Sequence, residues 1–266
     1  SEDMQPDFVW IKGRSFADTG GFFDSVRGAT KLLIPSGTGA ETTVAQSLKS
    51  FDSDGFTMGT ESALNKSSNT MVAWGWKAGG SASAATDGTI DTSRSVSTDA
   101  GFSIATYTGN ATNGATRGHG LGVAPHFIIV KNRTDGVKWY VYHHKNTAAP
   151  ETDYLELNNT TATVDQAGWH DTAPSSTLVT TSDGSEVNAS GKNYVMYSWT
   201  GIQGFSKFGT YIGNAGTGNA GSFVYTGFKP AIVILKKTSG ANSWFIFDNK
   251  RTTTFNVLEG VAKTSS

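Results

Sequence analysis

The sequence GFSIATYTGN at residues 101–110 returns as GFSKFGTYIGN at residues 204–214. Repetition at a fixed spacing decides how the rest of the chain is interpreted, because a repeat marks a structural unit. A spacing of roughly 105 to 125 residues is too long for a solenoid and has the size of a small domain. Further copies of shared sequence follow the same order: HFIIVK (126–131) with AIVILK (231–236), QPDFVWIKGR (5–14) with APHFIIVKNR (124–133), and NTMVAWGW (69–76) with NYVMYSW (193–199).

The repeats divide the chain into three units. We expect residues 1–80 to be a partial first repeat that lacks its opening strand, and residues 101–203 to be a complete second repeat. Residues 204–266 are then a partial third repeat without its closing strands. Residues 81–100 hold almost no large apolar side chains and are predicted to be a linker or a long surface loop. Both partial units contain the same strands, so we interpret the chain as a window on a longer tandem array.

Composition narrows the class of protein. The chain has 32 glycines, six prolines and 37% hydrophobic residues, which favours short strands joined by tight turns. A formal net charge of −1 lacks the basic excess of a nucleic-acid binder, so no nucleic-acid partner is expected. The absence of cysteine excludes disulfides and thiolate metal sites. No apolar run approaches the roughly 20 residues that span a bilayer, so membrane insertion is not expected.

The complete unit contains short segments rich in β-branched and aromatic residues, which are typical of strands. KWYVYHH and DYLELNN alternate, which predicts one buried and one solvated face, whereas the continuous HFIIVKN predicts a central strand. We therefore predict an all-β protein of tandem antiparallel β-sandwich modules, each with its own core, so that residues 101–203 fold alone. The predicted strands are FSIATYT (102–108), HFIIVKN (126–132), KWYVYHH (138–144), DYLELNN (153–159), STLVTT (176–181) and NYVMYSW (193–199).

Aromatic residues that recur with the repeat are predicted to fill the core, because an aromatic side chain buries a large apolar area. Trp139 and Trp244 hold the same place in successive units, and Trp76 approximately matches Trp199. The pattern predicts six structural core residues: Trp76, Trp139, Trp199, Trp244, Phe102 and Phe205.

Trp169 has no obvious counterpart in the other units and lies in the polar, turn-rich stretch QAGWHDTAPSS (166–176). An exposed indole stacks on the apolar face of a sugar ring, and His170 and Asp171 beside it supply hydrogen-bonding groups. These three residues are the candidate ligand-binding site. The alternative is that Trp169 plugs one end of the sandwich.

No catalytic or metal-binding arrangement emerges from the sequence. His143 and His144 are adjacent in a predicted strand, so their side chains point to opposite faces and do not chelate one ion together. A glycosidase needs two carboxylates facing each other across a cleft, and no pair of acidic residues is singled out here. We therefore expect no enzyme activity, no metal and no cofactor.

Several longer segments resemble a repeat of virion-associated proteins from tailed bacteriophages, especially marine ones. The resemblance implies a tail fibre or appendage that is exposed on the virion surface. It also implies a homo-oligomer, with a trimer favoured, and contacts with other virion proteins; it brings no catalytic residues. The segments are GLGVAPHFIIVKNR (120–133), KWYVYHH (138–144), YLELNNTT (154–161), FDSVRGATKLL (23–33), SFDSDGF (50–56) and VAWGWKAGG (72–80).

The sequence thus predicts a structural and adhesive virion protein whose loops contact a host surface glycan or protein. Two alternatives remain open. One is a capsid decoration or head-fibre protein without a receptor, and the other is a depolymerase that cleaves host polysaccharide.

Overall fold

The computed structural model describes residues 4–215 and 220–251, together with the backbone of residues 262 and 263. Over these residues the protein consists of twenty β-strands and one short 3-10 helix, Pro150–Thr152. All the strand pairs formed among them are antiparallel. The all-β class predicted from the sequence is confirmed.

The strands are numbered along the chain. The first unit holds β1 (Phe8–Gly13), β2 (Gly21–Asp24), β3 (Lys31–Leu32), β4 (Thr42–Thr43), β5 (Leu48–Asp52), β6 (Gly55–Met58) and β7 (Met71–Trp76). Next come β8 (Ser83–Ala85) and β9 (Thr92–Ser97). The second unit holds β10 (Phe102–Thr108), β11 (Ala115–Gly118), β12 (Phe127–Asn132), β13 (Tyr140–His143), β14 (Asp153–Glu156), β15 (Val164–Asp165), β16 (Leu178–Thr181) and β17 (Asn193–Trp199). The third unit holds β18 (Ile232–Leu235), β19 (Phe245–Asp248) and β20 (Ala262–Lys263).

The repeat in the sequence is a repeat of strand positions. In the first unit β1 lies between β2 and β7, and in the second unit β12 lies between β13 and β17. The registers also correspond, because Phe8 faces Trp76 as Phe127 faces Trp199. In the third unit β18 pairs with β19 in the same manner. All six strands predicted for the complete unit are present, and β12 is central as expected.

Residues 81–100 are not a linker, contrary to the expectation from their composition. They contain β8 and β9, which extend the second unit into an eight-stranded sheet of order β15-β14-β13-β12-β17-β10-β9-β8. Strand pairing uses backbone groups, so a Ser- and Thr-rich segment pairs as readily with the open edge of β10 as an apolar one. Gly88 lies so close to β11 that a Cβ added there would be 2.5 Å from the Thr116 carbonyl oxygen.

One aromatic core is shared by all three units, so the modules do not each have a separate core. The sheet β2-β1-β7 packs through Phe8 and Phe22 against the eight-stranded sheet, where Phe8 lies 4.9 Å from Tyr197 and Phe22 lies 5.3 Å from Trp139 between ring centroids. The third unit adds the side chain of Trp244 to the same cluster. The three repeats therefore form one interlocked body.

The eight-stranded sheet is covered on both faces. Its inner face meets the shared core, and its outer face meets a second cluster that includes Tyr140, Tyr142, Trp169 and Val179. The prediction that β13 and β14 have one solvated face is therefore wrong, because the loops after β14 fold back over that face. A third cluster covers the outer face of β1 and β2.

Candidate functional site

Trp169 does not form an exposed ligand platform. Its side chain is 0% exposed and lies 5.3 Å from Tyr140 and 5.7 Å from Tyr142 between ring centroids. A Cβ at Gly168 would overlap the Tyr140 hydroxyl, so this turn is pressed against the sheet. Of the two interpretations left open by the sequence, the structure supports the one in which Trp169 fills the interior.

His170 and Asp171 are exposed at the surface and both have positive φ, at 54° and 46°. These residues lie in the turn that follows Trp169. The His170 carbonyl accepts a hydrogen bond from the Thr172 hydroxyl at 2.8 Å. The three predicted ligand-binding residues are therefore not brought together, because the indole points inward and the two polar residues lie in solvent.

Five of the six predicted core residues pack in the shared core. Four of them are buried, and Trp76 is partly buried against the same cluster: Phe102, Trp139, Trp199, Trp244 and Trp76. Phe205 is different, with 63% of its side chain exposed. Its counterpart Phe102 is buried because β10 pairs with β17, whereas Phe205 lies in no strand.

The sequence analysis missed a buried ion pair that recurs at the end of the second strand of two units. Asp24 accepts hydrogen bonds from the backbone and the side chain of Arg27, and Asp248 accepts the same two bonds from Arg251. Each arginine also donates to a carbonyl oxygen two residues before its aspartate. The signal was present as DSVR (24–27) and DNKR (248–251), an Asp-x-x-Arg pattern in matching positions.

The first of these ion pairs ties the first unit to the second. Tyr197 on β17 donates its hydroxyl to Asp24 at 2.7 Å, and Arg27 donates to Glu41 at 3.0 Å. Burial opposes charge on Glu41, but the hydrogen bonds and positive charges of Arg133 and Arg27 outweigh it and lower the pKa of that carboxyl. Burial raises the pKa of the Tyr197 hydroxyl well above its usual value, so this group stays a neutral donor.

Three histidines gather where the second unit meets the third. The rings of His126 and His144 stack at 4.1 Å, and His143 lies 5.4 Å from His144. His126 Nδ1 accepts the Gly201 N–H at 3.0 Å, and His144 Nε2 donates to the Phe208 carbonyl at 3.2 Å. Burial and mutual repulsion lower the pKa of His126, and the same causes lower the pKa of His143 to about 4. The cluster is therefore uncharged at neutral pH.

The third unit exposes an apolar segment on its surface. Between residue 204 and β18 the described residues form no strand. Hydrogen bonds from the Ser222 hydroxyl to the Ile212 carbonyl and from the Asn214 side-chain amide to the Ala220 carbonyl join two parts of this segment. Large apolar side chains are exposed along it: Phe205, Tyr211, Ile212, Phe223, Val224 and Tyr225. An exposed apolar patch of this kind is typical of a surface that contacts a partner.

A family model matches residues 1–266 and is described as a domain of unknown function, DUF7483. The chain belongs to this family. No curated protein and no solved structure matches the chain. The DUF7483 domain spans all three units, which agrees with the single core that they share.

Within the described part of this DUF7483 domain, no group of three or more His, Asp or Glu side chains has an arrangement that would hold a metal ion. Among the same residues, no helix is long and apolar enough to cross a membrane. A shallow depression of about 300 Å³ lies beside β7, where Ala73 and Gly75 face Phe56 and Pro6.

Proposed function

We propose that this chain is a structural and adhesive component of a bacteriophage virion, exposed on the surface as part of a tail fibre or appendage. The shared aromatic core is the observation that carries the proposal. Three repeats that interlock through one core form a rigid body without disulfides, which suits a projecting part of a particle. Buried ion pairs in the first and third units add polar contacts that fix how the sheets meet.

The segments that resemble the phage repeat occupy structural positions, which supports a structural role. FDSVRGATKLL (23–33) contains the buried Asp24–Arg27 pair, and SFDSDGF (50–56) forms the hairpin of β5 and β6. GLGVAPHFIIVKNR (120–133) leads into β12, the strand between β13 and β17. Residues with these roles maintain a scaffold.

The adhesive part of the proposal places host contact on the exposed apolar segment of the third unit. Phe223 and Tyr225 are 88% and 70% exposed, and an exposed aromatic face stacks on the apolar side of a sugar ring. The ligand class is therefore a host surface glycan, with a surface protein as the alternative.

Location on the particle is tested by immunogold labelling of purified virions from a phage that encodes this chain. We expect gold on the tail or its appendages, with antibody pre-absorbed on the purified chain as the control. Gold on the head would favour a capsid decoration protein, and mature particles that lack the chain would exclude a virion role.

Adhesion is tested by binding of the labelled chain to host envelopes and glycan arrays. We expect binding that is lost on replacing Phe223 and Tyr225 together by Ser. A Val123→Ser variant is the matched control, since Val123 is an exposed apolar residue of the second unit. If the Phe223 and Tyr225 double variant bound as well as Val123→Ser, this segment would have no adhesive role. New reducing ends on host polysaccharide would favour a depolymerase.

A further inference from the structure

Arg117 on β11 is a buried cation that has no acidic partner among the described residues. Its side chain is 0% exposed, and its Nη1 donates to the Thr181 hydroxyl at 2.7 Å. Within the same part of the chain, its Nε and Nη2 have no hydrogen-bond partner, and none of the ion pairs includes it. The buried Arg27 differs, because it donates to the carboxylates of Asp24 and Glu41.

The enclosed charge of Arg117 requires compensation. Burial lowers the pKa of its guanidinium, but an arginine side chain stays protonated in proteins, so the group carries a positive charge. Its Cζ lies 4.4 Å from the centroid of the Tyr107 ring, and this cation–π contact offsets only part of the cost of removing a charge from water. The two remaining donor atoms of the guanidinium are therefore best matched by an acceptor that is negatively charged.

The hydroxyl of Thr92 lies on the same side of Tyr107 as the guanidinium. Tyr194 on β17 stacks on one face of the Tyr107 ring, at 5.0 Å and 9°, so Arg117 occupies the other face, which is directed toward β9. The register of β9 with β10, continued by one residue, places Thr92 opposite Tyr107 and on the same face of the sheet. Thr92 is 3% exposed, and its Oγ1 has no hydrogen-bond partner among the described residues.

Residues 86–91 cover this side of the second unit. The Ile90 N–H donates to the Thr116 carbonyl at 3.0 Å, and a Cβ at Gly88 would lie 2.7 Å from the Cα of Arg117. The side chain of Ile90 belongs to the same apolar cluster as Tyr107. The surroundings of the guanidinium are therefore close-packed and largely apolar, which favours a small ligand over a large one.

We propose that a small inorganic anion of the halide class binds beside Arg117, with the Thr92 hydroxyl as a further donor. The Nε, Nη2 and Oγ1 atoms all carry hydrogens to donate, and a halide ion accepts hydrogen bonds from several donors while donating none. The anion also supplies the negative charge that a buried cation requires, which a water molecule does not.

Thermal unfolding of the whole 266-residue chain tests the site with chloride alone as the probe. Sodium chloride replaces sodium gluconate at constant ionic strength, which keeps the screening of surface charges unchanged. Between about 1 and about 100 mM chloride, we expect the melting temperature to rise by at least about 2 °C, because a ligand that binds only the folded chain stabilises it.

Two variants assign the chloride response to this site. Arg117→Met should abolish the response, because it replaces the buried guanidinium by an uncharged side chain of similar length. Thr92→Val keeps the shape of the side chain but loses one donor, so it should need several-fold more chloride for the same rise, and it serves as the test if Arg117→Met does not fold. Lys49→Met is the matched control: it removes one positive charge from an exposed side chain and should respond as the unmodified chain does.

Crystals grown in sodium bromide locate the anion directly, because bromide scatters X-rays anomalously. We expect an anomalous peak within hydrogen-bond distance of Arg117 Nε or Nη2. Water molecules alone at these atoms would overturn the proposal. A melting temperature that does not depend on chloride would also overturn it, as would a chloride response that Arg117→Met or Thr92→Val leaves unchanged.

Discussion

Glu41 in the first unit and Arg133 in the second form an ion pair through two hydrogen bonds, with N–O distances of 2.8 and 2.9 Å. The same carboxylate accepts a bond from the buried Arg27 at 3.0 Å. One acidic side chain therefore joins an arginine from each unit where their sheets meet. Loss of one partner from such a pair leaves the remaining charge short of hydrogen bonds away from water.

Replacing Glu41 by Gln is expected to lower the free energy of unfolding by about 1–3 kcal/mol, because Arg27 and Arg133 lose a charged acceptor. The control is Asp87→Asn, which breaks the more exposed pair with Arg94 and should cost less than about 1 kcal/mol. Urea unfolding followed by tryptophan fluorescence measures both, and equal losses would contradict a joining role for Glu41.

Gly88→Ala tests whether residues 81–100 are docked on the second unit. The added Cβ would lie 2.5 Å from the Thr116 carbonyl oxygen, so we expect a loss of about 1–3 kcal/mol in the free energy of unfolding. Gly39→Ala meets nothing within 4 Å and should change stability by less than about 0.5 kcal/mol. A neutral Gly88→Ala variant would indicate that this segment is a loose linker after all.

Trp169→Ala is expected to destabilise the protein by about 3–5 kcal/mol, because it empties a large volume beside Tyr140 and Tyr142. The neighbouring variant His170→Ala changes an exposed side chain and should stay within about 0.5 kcal/mol. Thermal unfolding by circular dichroism compares the two. A stable Trp169→Ala variant that loses binding to glycans would restore Trp169 as a ligand residue.

The fragment 101–203 tests the shared core. Expressed alone it would expose Trp139 and Tyr197, which the whole chain covers with Phe8 and Phe22. We expect the fragment to bind a hydrophobic dye and to melt at a lower temperature and less cooperatively than the whole chain. A sharp transition without dye binding would show that this unit is independent, as the sequence alone predicts.

Stability should fall between about pH 6.5 and pH 5. Burial lowers the pKa of His119, His126 and His144, and lowers that of His143 to about 4. An unfolded histidine titrates near a pKa of about 6.5, so below that pH the unfolded chain binds more protons than the folded chain and is favoured. Glu41, whose pKa is also lowered, acts in the same direction only at more acid pH.

Melting temperatures at pH 7, 6 and 5 measure this dependence. A His143→Gln variant removes the histidine whose pKa is lowered to about 4, so its melting temperature should vary less with pH. A stability that stays constant from pH 7 to pH 5 would show that the histidines titrate normally in the folded protein.

The sequence by itself determined the all-β class, six of the eight strands of the second unit and the places where the repeat returns. Those features depend on local preference, because short runs of β-branched and aromatic residues between turn residues favour strands whatever surrounds them. The Asp-x-x-Arg pattern also recurs in the sequences of the first and third units. In the second unit, His143 and His144 lie near the matching position instead.

The sequence predicted most of the recurring aromatic core, but only the tertiary structure decided the burial of Phe205, Trp169 and residues 81–100. Phe102 and Phe205 lie in nearly the same local sequence, yet the first is buried and the second is exposed, since only β10 has β17 as a neighbour. Trp169 lies in a polar stretch but is enclosed by Tyr140 and its neighbours. Residues 81–100 became strands because the edge of β10 bonds to backbone groups, and backbone bonding leaves no pattern of apolar side chains in a sequence.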